Sequence, residues 1–302
     1  MDFKVLILGS NSAIPTLKRN PSAQLVLFNQ TPYLIDCGEG TQLQLRRYKQ
    51  KFQKIRQIFI SHLHGDHYYG LPGLLTSMHL LGREKELSVY GPEGLEEIIR
   101  VNFKHSKTYL RYPLKFIALK EGSEEYIYED ERLKVRSLAL DHRVPTFGFV
   151  FEEKAHPLKV NKEAITKYDL SIEEILTIKD GTEVNRSGKT IPKNELILEA
   201  AKTRNYAYCS DTAYQEELAD KIKGVDLLYH EATFMEDLKD RAAETYHSTA
   251  KQAATIAMKS EVKKLLIGHF STRYDEIEPM VLEAKEVFEN TEWAKEGKFF
   301  EL

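Results

Sequence analysis

Residues 58–73 read IFISHLHGDHYYGLPG. Three apolar residues, Ile58, Phe59 and Ile60, run straight into a polar turn that holds His62, His64, Asp66 and His67. On an extended chain, side chains two apart point the same way, so His62 and His64 face one point. Gly65 admits a sharp turn, which swings Asp66 and His67 toward a neighbouring point. Imidazole and carboxylate are the ligands that borderline cations such as Zn²⁺ take. Buried without a cation, four such groups are costly. The segment therefore reads as a metal site rather than as a chance His-rich surface turn.

Four ligands do not complete two metal sites, and later strand ends offer more. His142 follows the apolar run LKVRSLALD, Asp211 ends YAYCSD, and His269 follows LLIG. Singly, each reads as a turn-capping residue. With the HxHxDH nucleus they read as a set.

Working outward, FKVLILG, AQLVLF, PYLID, IRQIFIS and LSVYG read as strands bounded by Gly, Pro, Asn or Asp, with helices from about Thr41 and over Gly70–Leu81. LKFIAL, EYIYE, LKVRSLAL and FGFVFE read as further strands. Residues 154–195 are polar with weak apolar periodicity and carry 8 Lys/Arg against 7 Asp/Glu, with Pro157 near their start. Strands return at YAYCSD, VDLLYHEA and KKLLIGH, with helices over about Thr249–Lys259 and Pro279–Val287. This order predicts an α/β chain with two sheets between helical layers, interrupted by one inserted arm.

The 302 residues are 42% hydrophobic and 29% charged, ordinary values for a globular chain able to bury a large core. No apolar run approaches the ~18 residues of a membrane span, and VLILG near the N-terminus reads as a buried strand rather than a signal peptide. Two cysteines, Cys37 and Cys209, are too few for a disulfide framework, so a cytoplasmic location is expected. The net charge of −3 argues against a general nucleic-acid coat protein. One segment departs from it: LRRYKQKFQKIR carries Arg46, Arg47, Lys49, Lys51, Lys54 and Arg56 with no acid among them. That run reads either as a solvated helix face or as a surface that contacts phosphate.

SHLHGDH with the later His142, Asp211 and His269 resembles the metallo-β-lactamase superfamily in order and residue type. More narrowly, PTLKRNPSA (15–23), DCGEGTQLQL (36–45), HEATF (230–234), HSTA (247–250) and GHFSTRY (268–274) resemble motifs of the ribonuclease Z family along nearly the whole chain. The resemblance implies an αββα four-layer sandwich over residues 1–302, with residues 154–195 as a flexible exosite arm for the body of tRNA. It implies two Zn²⁺ per subunit, with Mn²⁺ the alternative. His62, His64 and His142 would hold one, Asp66, His67 and His269 the other, with Asp211 bridging.

The implied reaction is removal of the 3′ trailer from precursor tRNA, leaving a 3′-hydroxyl, by a homodimer without membrane contact. Asp66 would orient the nucleophile, His247 would donate a proton to the leaving oxygen, and Glu231 would orient His247 and raise its pKa. Apart from the resemblance, His247 reads as a residue before a helix cap at Ser248–Thr249. Lys18, Arg19, Asn20, Ser271, Thr272 and Arg273 are the expected RNA contacts. Arg273 reads alternatively as a salt-bridge partner of Asp275 or Glu276. Tyr68 and Tyr69 read as packing around the ligands or as a platform for a base. His79, His105, His156 and His230 are expected to be structural, and both cysteines buried fillers. A small-ester hydrolase of the same superfamily and an RNA-binding protein with structural metals are the rival readings; HEATF, HSTA and the arm speak against the first.

Overall fold

The computed structural model describes residues 2–155, 158–179, 181, 183–186, 189–198 and 202–302. The chain divides into two units, Met1–Tyr128 with Val135–Phe151 and Arg204–Leu302, and Glu129–Lys134 with Glu152–Thr203. The first six strands are β1 (Phe3–Gly9), β2 (Ala23–Phe28), β3 (Thr31–Ile35), β4 (Gln57–Phe59), β5 (Leu87–Pro92) and β6 (Leu114–Leu119). Then come β7 (Tyr126–Glu129), β8 (Leu133–Leu140) and β9 (Thr146–Glu153), a short ribbon of β10 (Asn185–Arg186) and β11 (Lys189–Thr190), and β12 (Asn205–Cys209). β13 (Leu227–Glu231), β14 (Lys264–Gly268), β15 (Thr291–Trp293) and β16 (Phe299–Glu301) complete the set.

Two seven-stranded sheets result, ordered β16-β1-β2-β3-β4-β5-β6 and β15-β14-β13-β12-β9-β8-β7. From β3 to β6 the first sheet is parallel, and so is the second from β12 to β15. Parallel strands are covered on both faces and so read as continuous apolar runs. In β14, for example, Leu265, Leu266 and Ile267 are all buried. Leu6 and Leu8 pack with Leu45, Leu71, Leu74, Leu75, Met78 and Ile99 on the helical side.

The helices Thr41–Arg47, Leu71–Leu80 and Leu95–His105 cover the first sheet; Ala250–Lys259 and Glu278–Lys285 cover the second. Between the sheets lie large rings: Phe59 is 5.4 Å from both Phe149 and Phe151, and Tyr33 is 6.0 Å from Phe151. This is helix, sheet, sheet, helix. The helix Ala250–Lys259 starts from the Thr249 cap, where Thr249 and Gln252 form a reciprocal capping box.

Expected and observed elements differ in several places, among them the short helices Leu218–Lys221 and Lys239–Thr245, which the sequence reading did not contain. The helix Leu95–His105 has no counterpart in the sequence reading, because EEIIRVN mixes charge with apolar residues over barely three turns. β15 and β16 have none either: each is three residues long and owes its place to β14 and β1, distant in sequence. Gly65 does not make a sharp turn. It opens a short helix, Gly65–Tyr68, and its missing Cβ leaves room for the Tyr69 ring, whose carbons would lie 2.2–2.6 Å from it.

The second unit contains the stretch expected as the arm. It holds the helices Lys162–Lys167 and Ile172–Lys179 and the β10–β11 ribbon, with Val160, Ala164, Leu170, Ile178, Val184, Ile191 and Leu196 as its own buried cluster. Pro157 and His156 lie outside the described residues.

At the end of β1 the chain crowds its neighbour. A Cβ on Gly9 would sit 1.7 Å from the carbonyl oxygen of Pro21, and this approach lets Ser10 and Asn11 donate to the Asn20 carbonyl at 3.0 and 2.9 Å. Gly9→Ala should therefore lower stability by about 1–3 kcal/mol through overpacking. Urea unfolding of the metal-free protein measures it, and an unchanged midpoint would refute the close-approach account.

Candidate metal centre

Polar residues collect where the parallel strands end. Asp36 follows β3, Ser61 and His62 follow β4, Asp211 follows β12, Glu231 ends β13 and His269 follows β14; His142 follows β8. Open parallel sheets bind ligands at these carboxyl ends.

Two groups of ligand atoms form there and share one carboxylate. His64 Nδ1 lies 3.0 Å from His62 Nε2 and 3.2 Å from His142 Nε2, while Asp211 Oδ2 is 3.6 and 3.9 Å from the same two Nε2 atoms. In the second group Asp66 Oδ2 is 3.4 Å from both His67 Nε2 and His269 Nε2, which are themselves 3.4 Å apart. Asp211 Oδ1 completes it, 3.4 Å from His67 and 3.2 Å from His269. Zinc bonds of about 2.0–2.1 Å set tetrahedral ligands about 3.3 Å apart, so these spacings suit a cation in each group. The donors are imidazole and carboxylate with no thiolate. The structure brings all seven expected ligands together, with Asp211 between the groups.

The hydrogen bonds behind the ligands assign their tautomers. His67 Nδ1–H donates to Asp36 Oδ2 at 2.8 Å, and His142 Nδ1–H to the Tyr246 carbonyl at 2.9 Å. Ser61 Oγ donates to Asp36 Oδ2 at 2.9 Å and accepts from His62 Nδ1 at 3.1 Å. Thr233 Oγ1 donates to Glu231 Oε2 at 2.7 Å and accepts from His269 Nδ1 at 2.9 Å. Each of these four rings thus turns a bare Nε2 to the centre, the arrangement that metal-binding histidines adopt.

Charge at the centre is negative in excess. Burial works against a proton on His67, yet Asp211, Asp66 and Asp36 lift it well above the usual histidine range. Burial also opposes charge on Asp66 and Asp211, but the surrounding imidazoles hold both well below the carboxylate range. His62, His64 and His142 are pushed down, first by burial. The carboxylates that draw a proton to His67 would be answered by a cation in its place, with Nε2 then bare, so the imidazole and carboxylate donors fit a metal.

His247 stands beside the ligands, its ring 5.2 Å from His142 and 5.5 Å from His269. Its Nδ1–H donates to Glu231 Oε1 at 2.9 Å, which leaves Nε2 outside that bond. Glu231 is fully buried and also accepts from the Thr212 and Thr233 amides, both at 3.0 Å. Burial works against charge on His247, but Glu231, Asp211 and Asp66 raise its pKa to about 9. Ala13 N–H donates to Asp66 Oδ2 at 2.8 Å, which ties the loop after β1 to the centre.

The expected RNA contacts separate into two kinds. Lys18, Thr272 and Arg273 are exposed, and Ser271 is half-buried. Arg273 makes no ion pair with Asp275 or Glu276 among the described residues; it lies 5.2 Å over the Phe234 ring. Arg19, in contrast, is buried, and its guanidinium donates to Asn11 Oδ1 at 2.8 Å and the Tyr274 carbonyl at 2.7 Å. That guanidinium ties two loops together instead of reaching solvent. Asn20 is held through its amide and Nδ2 by Glu296 at 2.6 and 2.7 Å.

Tyr68 is buried and Tyr69 65% exposed, so only the second is open to a ligand. His230 is buried and bonded to the Glu231 carbonyl, His79 accepts from the Arg111 amide, and His105 ends an exposed helix. Both cysteines are buried and burial raises both thiols. The sequence reading missed Asp36, Ser61 and Thr233 as supports. Asp36 carried the same signal as Asp211, an acid directly after an apolar strand.

Known proteins bear on this geometry. The family model described as "Anti-Pycsar protein Apyc1" matches residues 3–155. Ribonuclease Z of Cytophaga hutchinsonii is 48% identical over 303 residues, covering 99% of this chain and 96% of the relative. Among solved structures, the human short-form tRNase Z superposes with a TM-score of 0.71 at 28% identity, covering 98% of each chain. The metallo-β-lactamase fold protein YhfI of Bacillus subtilis gives 0.70 at 19% identity over the whole of both chains, and so shares the fold.

Asp36 tests the supporting network. Asp36→Asn should weaken the metal group that contains His67 by about 10–100-fold, since it removes the negative charge and leaves one acceptor oxygen for the donors that two now serve, so that an amide N–H meets either Ser61 N–H or the His67 ring. Metal retained against a competing chelator, followed by titration, reads this directly. Equal retention by wild type and variant would show that Asp36 serves packing alone.

Proposed function

Because the chain belongs to the ribonuclease Z family, we propose that it is a metal-dependent endoribonuclease that removes the 3′ trailer from precursor tRNA and leaves a 3′-hydroxyl on the tRNA. Its residues 3–155 belong equally to the family of the anti-Pycsar protein Apyc1. That match ends before Asp211, Glu231, His247 and His269, whereas the ribonuclease Z relative is matched from end to end. The observation that carries the reading is the Glu231–His247 pair beside a seven-ligand centre. A phosphodiester needs its leaving oxygen protonated, and a metal does not supply that proton.

Two Zn²⁺ per subunit fit the donor set, with Mn²⁺ the alternative. When bound, such cations supply Lewis acidity at the phosphate and a water that ionises near neutral pH. Asp66, fixed by the Ala13 amide, lies where it can orient the attacking water. His247 presents Nε2 to the leaving 3′-oxygen as general acid. With cations bound there, the charges of Asp66 and Asp211 would be neutralised, and Glu231 would be the chief support for the charge on His247. Lys18, Thr272 and Arg273 offer exposed donors to the RNA and Ser271 a half-buried one, and Arg19 and Asn20 hold the shape of the loop that presents Lys18.

The family resemblance also supports a homodimer in the cytoplasm, in which the arm within residues 154–195 of one subunit grips tRNA cut by the other. Among the described residues no helix is long and apolar enough to cross a membrane.

Cleavage of a 3′-extended precursor tRNA by wild type and His247→Ala decides the matter. Wild type should cut after the discriminator position, and the variant should keep two metals while kcat falls about 10²–10⁴-fold. Wild type that holds two metals, hydrolyses small esters and leaves the precursor intact would sink the ribonuclease reading.

The pH profile gives a separate check. His247 must be protonated to act, and Glu231 raises its pKa. Glu231→Gln removes that support, so the alkaline limb of kcat should move to lower pH. A limb that stays in place would remove Glu231 from the role.

A further inference from the structure

The cationic run after residue 45 has no part in the metal centre. Arg46, Arg47, Lys49, Lys51, Lys54 and Arg56 are all exposed, and none is in an ion pair with an acid among the described residues. Other surface lysines find acids close by, as Lys115 does with Glu86 at 2.8 Å and Lys221 with Glu124 at 2.6 Å. Arg47 donates instead to the neutral Gln44 Oε1 at 2.9 Å.

Helix capping accounts for only part of the run. Arg46 and Arg47 end the helix Thr41–Arg47, where cations complement the helix dipole. Lys49, at φ 56°, closes that helix: its N–H reaches the Arg46 carbonyl at 3.0 Å, and Gln50 N–H reaches Leu45 at 2.7 Å. Glycine is the usual residue at such a position, so a lysine is held there against backbone preference. Lys51, Lys54 and Arg56 lie beyond the reach of the dipole.

The run also has an inner and an outer side. Leu45, Phe52 and Ile55 are buried in the core, so the large aliphatic and phenyl side chains within residues 45–56 face inward and are not the outward anchors that hold a basic segment on a lipid surface, although Leu43 just before them is 71% exposed. Lys49, Lys51 and Lys54 join Lys4 around a concavity of 250 Å³ that also includes Gln30, Pro32 and Gln50. Asp2, the acid in that wall, lies 3.7 Å from Lys4.

Its position is set by topology. Gln30 sits in the β2–β3 turn and Asp2 and Lys4 at the start of β1, whereas the metal centre lies past Gly9 and Asp36 at the other ends of the same strands. At about 3.3 Å per residue, β1 separates the two by roughly 20 Å. Concentrated, unpaired positive charge at one end of a chain of net charge −3 fits a polyanion whose charges repeat along its length.

We infer that the face formed by Lys4, Lys49, Lys51 and Lys54 is a second RNA-binding surface, which takes backbone phosphates of the substrate's body far from the cleaved bond. It rests on the ribonuclease reading. Such contacts hold and register the RNA without reading its sequence.

Binding of a 3′-extended precursor tRNA across a salt series tests it, with wild type, the Lys49→Gln/Lys51→Gln/Lys54→Gln triple variant and the matching Lys→Arg triple. Turnover of bis-p-nitrophenyl phosphate and metal content are followed alongside as reports on the centre. The glutamine variant should bind about tenfold more weakly or worse, and its log–log salt slope should flatten by about one for each phosphate no longer neutralised. The arginine variant should restore both. Unchanged affinity and slope overturn the inference. So does a fall in small-diester turnover that matches the loss of binding, because the damage then lies at the centre. A glutamine variant that loses sedimentation with anionic vesicles yet binds tRNA as before assigns the face to a membrane and overturns it too. Wild type that binds the precursor without cutting it refutes the ribonuclease reading instead, and the salt series still decides the surface.

Discussion

Asp36, Asp211 and Glu231 each stand at the end of an apolar strand, and each is removed from water. A buried carboxylate is tolerated only when donors or cations answer its charge. Around these three the chain has arranged every polar group within reach. Asp36 takes Ser61 N, Ser61 Oγ, His67 Nδ1 and Tyr208 OH; Glu231 takes two backbone amides, Thr233 Oγ1 and His247 Nδ1. Asp211 faces imidazole nitrogens on both sides. Ser210 Oγ donates to its Oδ1 at 3.0 Å, and with imidazoles as its other neighbours its charge suits a bound cation.

This division orders the site from the inside out. Asp36 and Thr233 fix the rings of His67 and His269 from behind, so that their Nε2 atoms present bare lone pairs. Glu231 serves both sides at once, holding Thr233 through Oε2 and His247 through Oε1. One carboxylate thereby orients both His269, through Thr233, and the proposed proton donor His247. The backbone meets the same demand: Ala13, Asp36, Tyr246 and His269 all lie at positive φ, between 54° and 60°. Non-glycine residues held in that region mark places where surrounding structure overrules local preference, and such places cluster at functional sites.

The fold explains why the centre can be so dense. Parallel strands align their carboxyl ends, so residues from β3, β4, β12, β13 and β14 arrive at one edge although they are far apart in sequence. Tyr208, reaching from the second sheet to Asp36 in the first at 2.6 Å, fastens the sheets at that edge. At the far ends of β1 and β3 the surface turns basic, so one short sheet separates the candidate metal centre from the proposed RNA-binding face.

How much was legible beforehand depended on the range of the physics involved. HLHGDH announced a metal because its ligands are neighbours in the chain, and strand periodicity is equally local. His142, Asp211 and His269 were legible as strand-end residues of ligand type. Other features were decided by distant partners. Arg19 reads as an RNA contact until the Asn11 side chain and the Tyr274 carbonyl are seen to enclose it. Gly65 reads as a turn until the Tyr69 ring is found against it. β15 and β16 exist because β14 and β1 offer open edges. The chain by itself determined its elements and the ligand types, since propensity and patterning act over a few residues. Only the tertiary structure decided which atoms meet, which tautomers face the centre and which cations stay free, because hydrogen bonds and burial join residues that sequence holds apart.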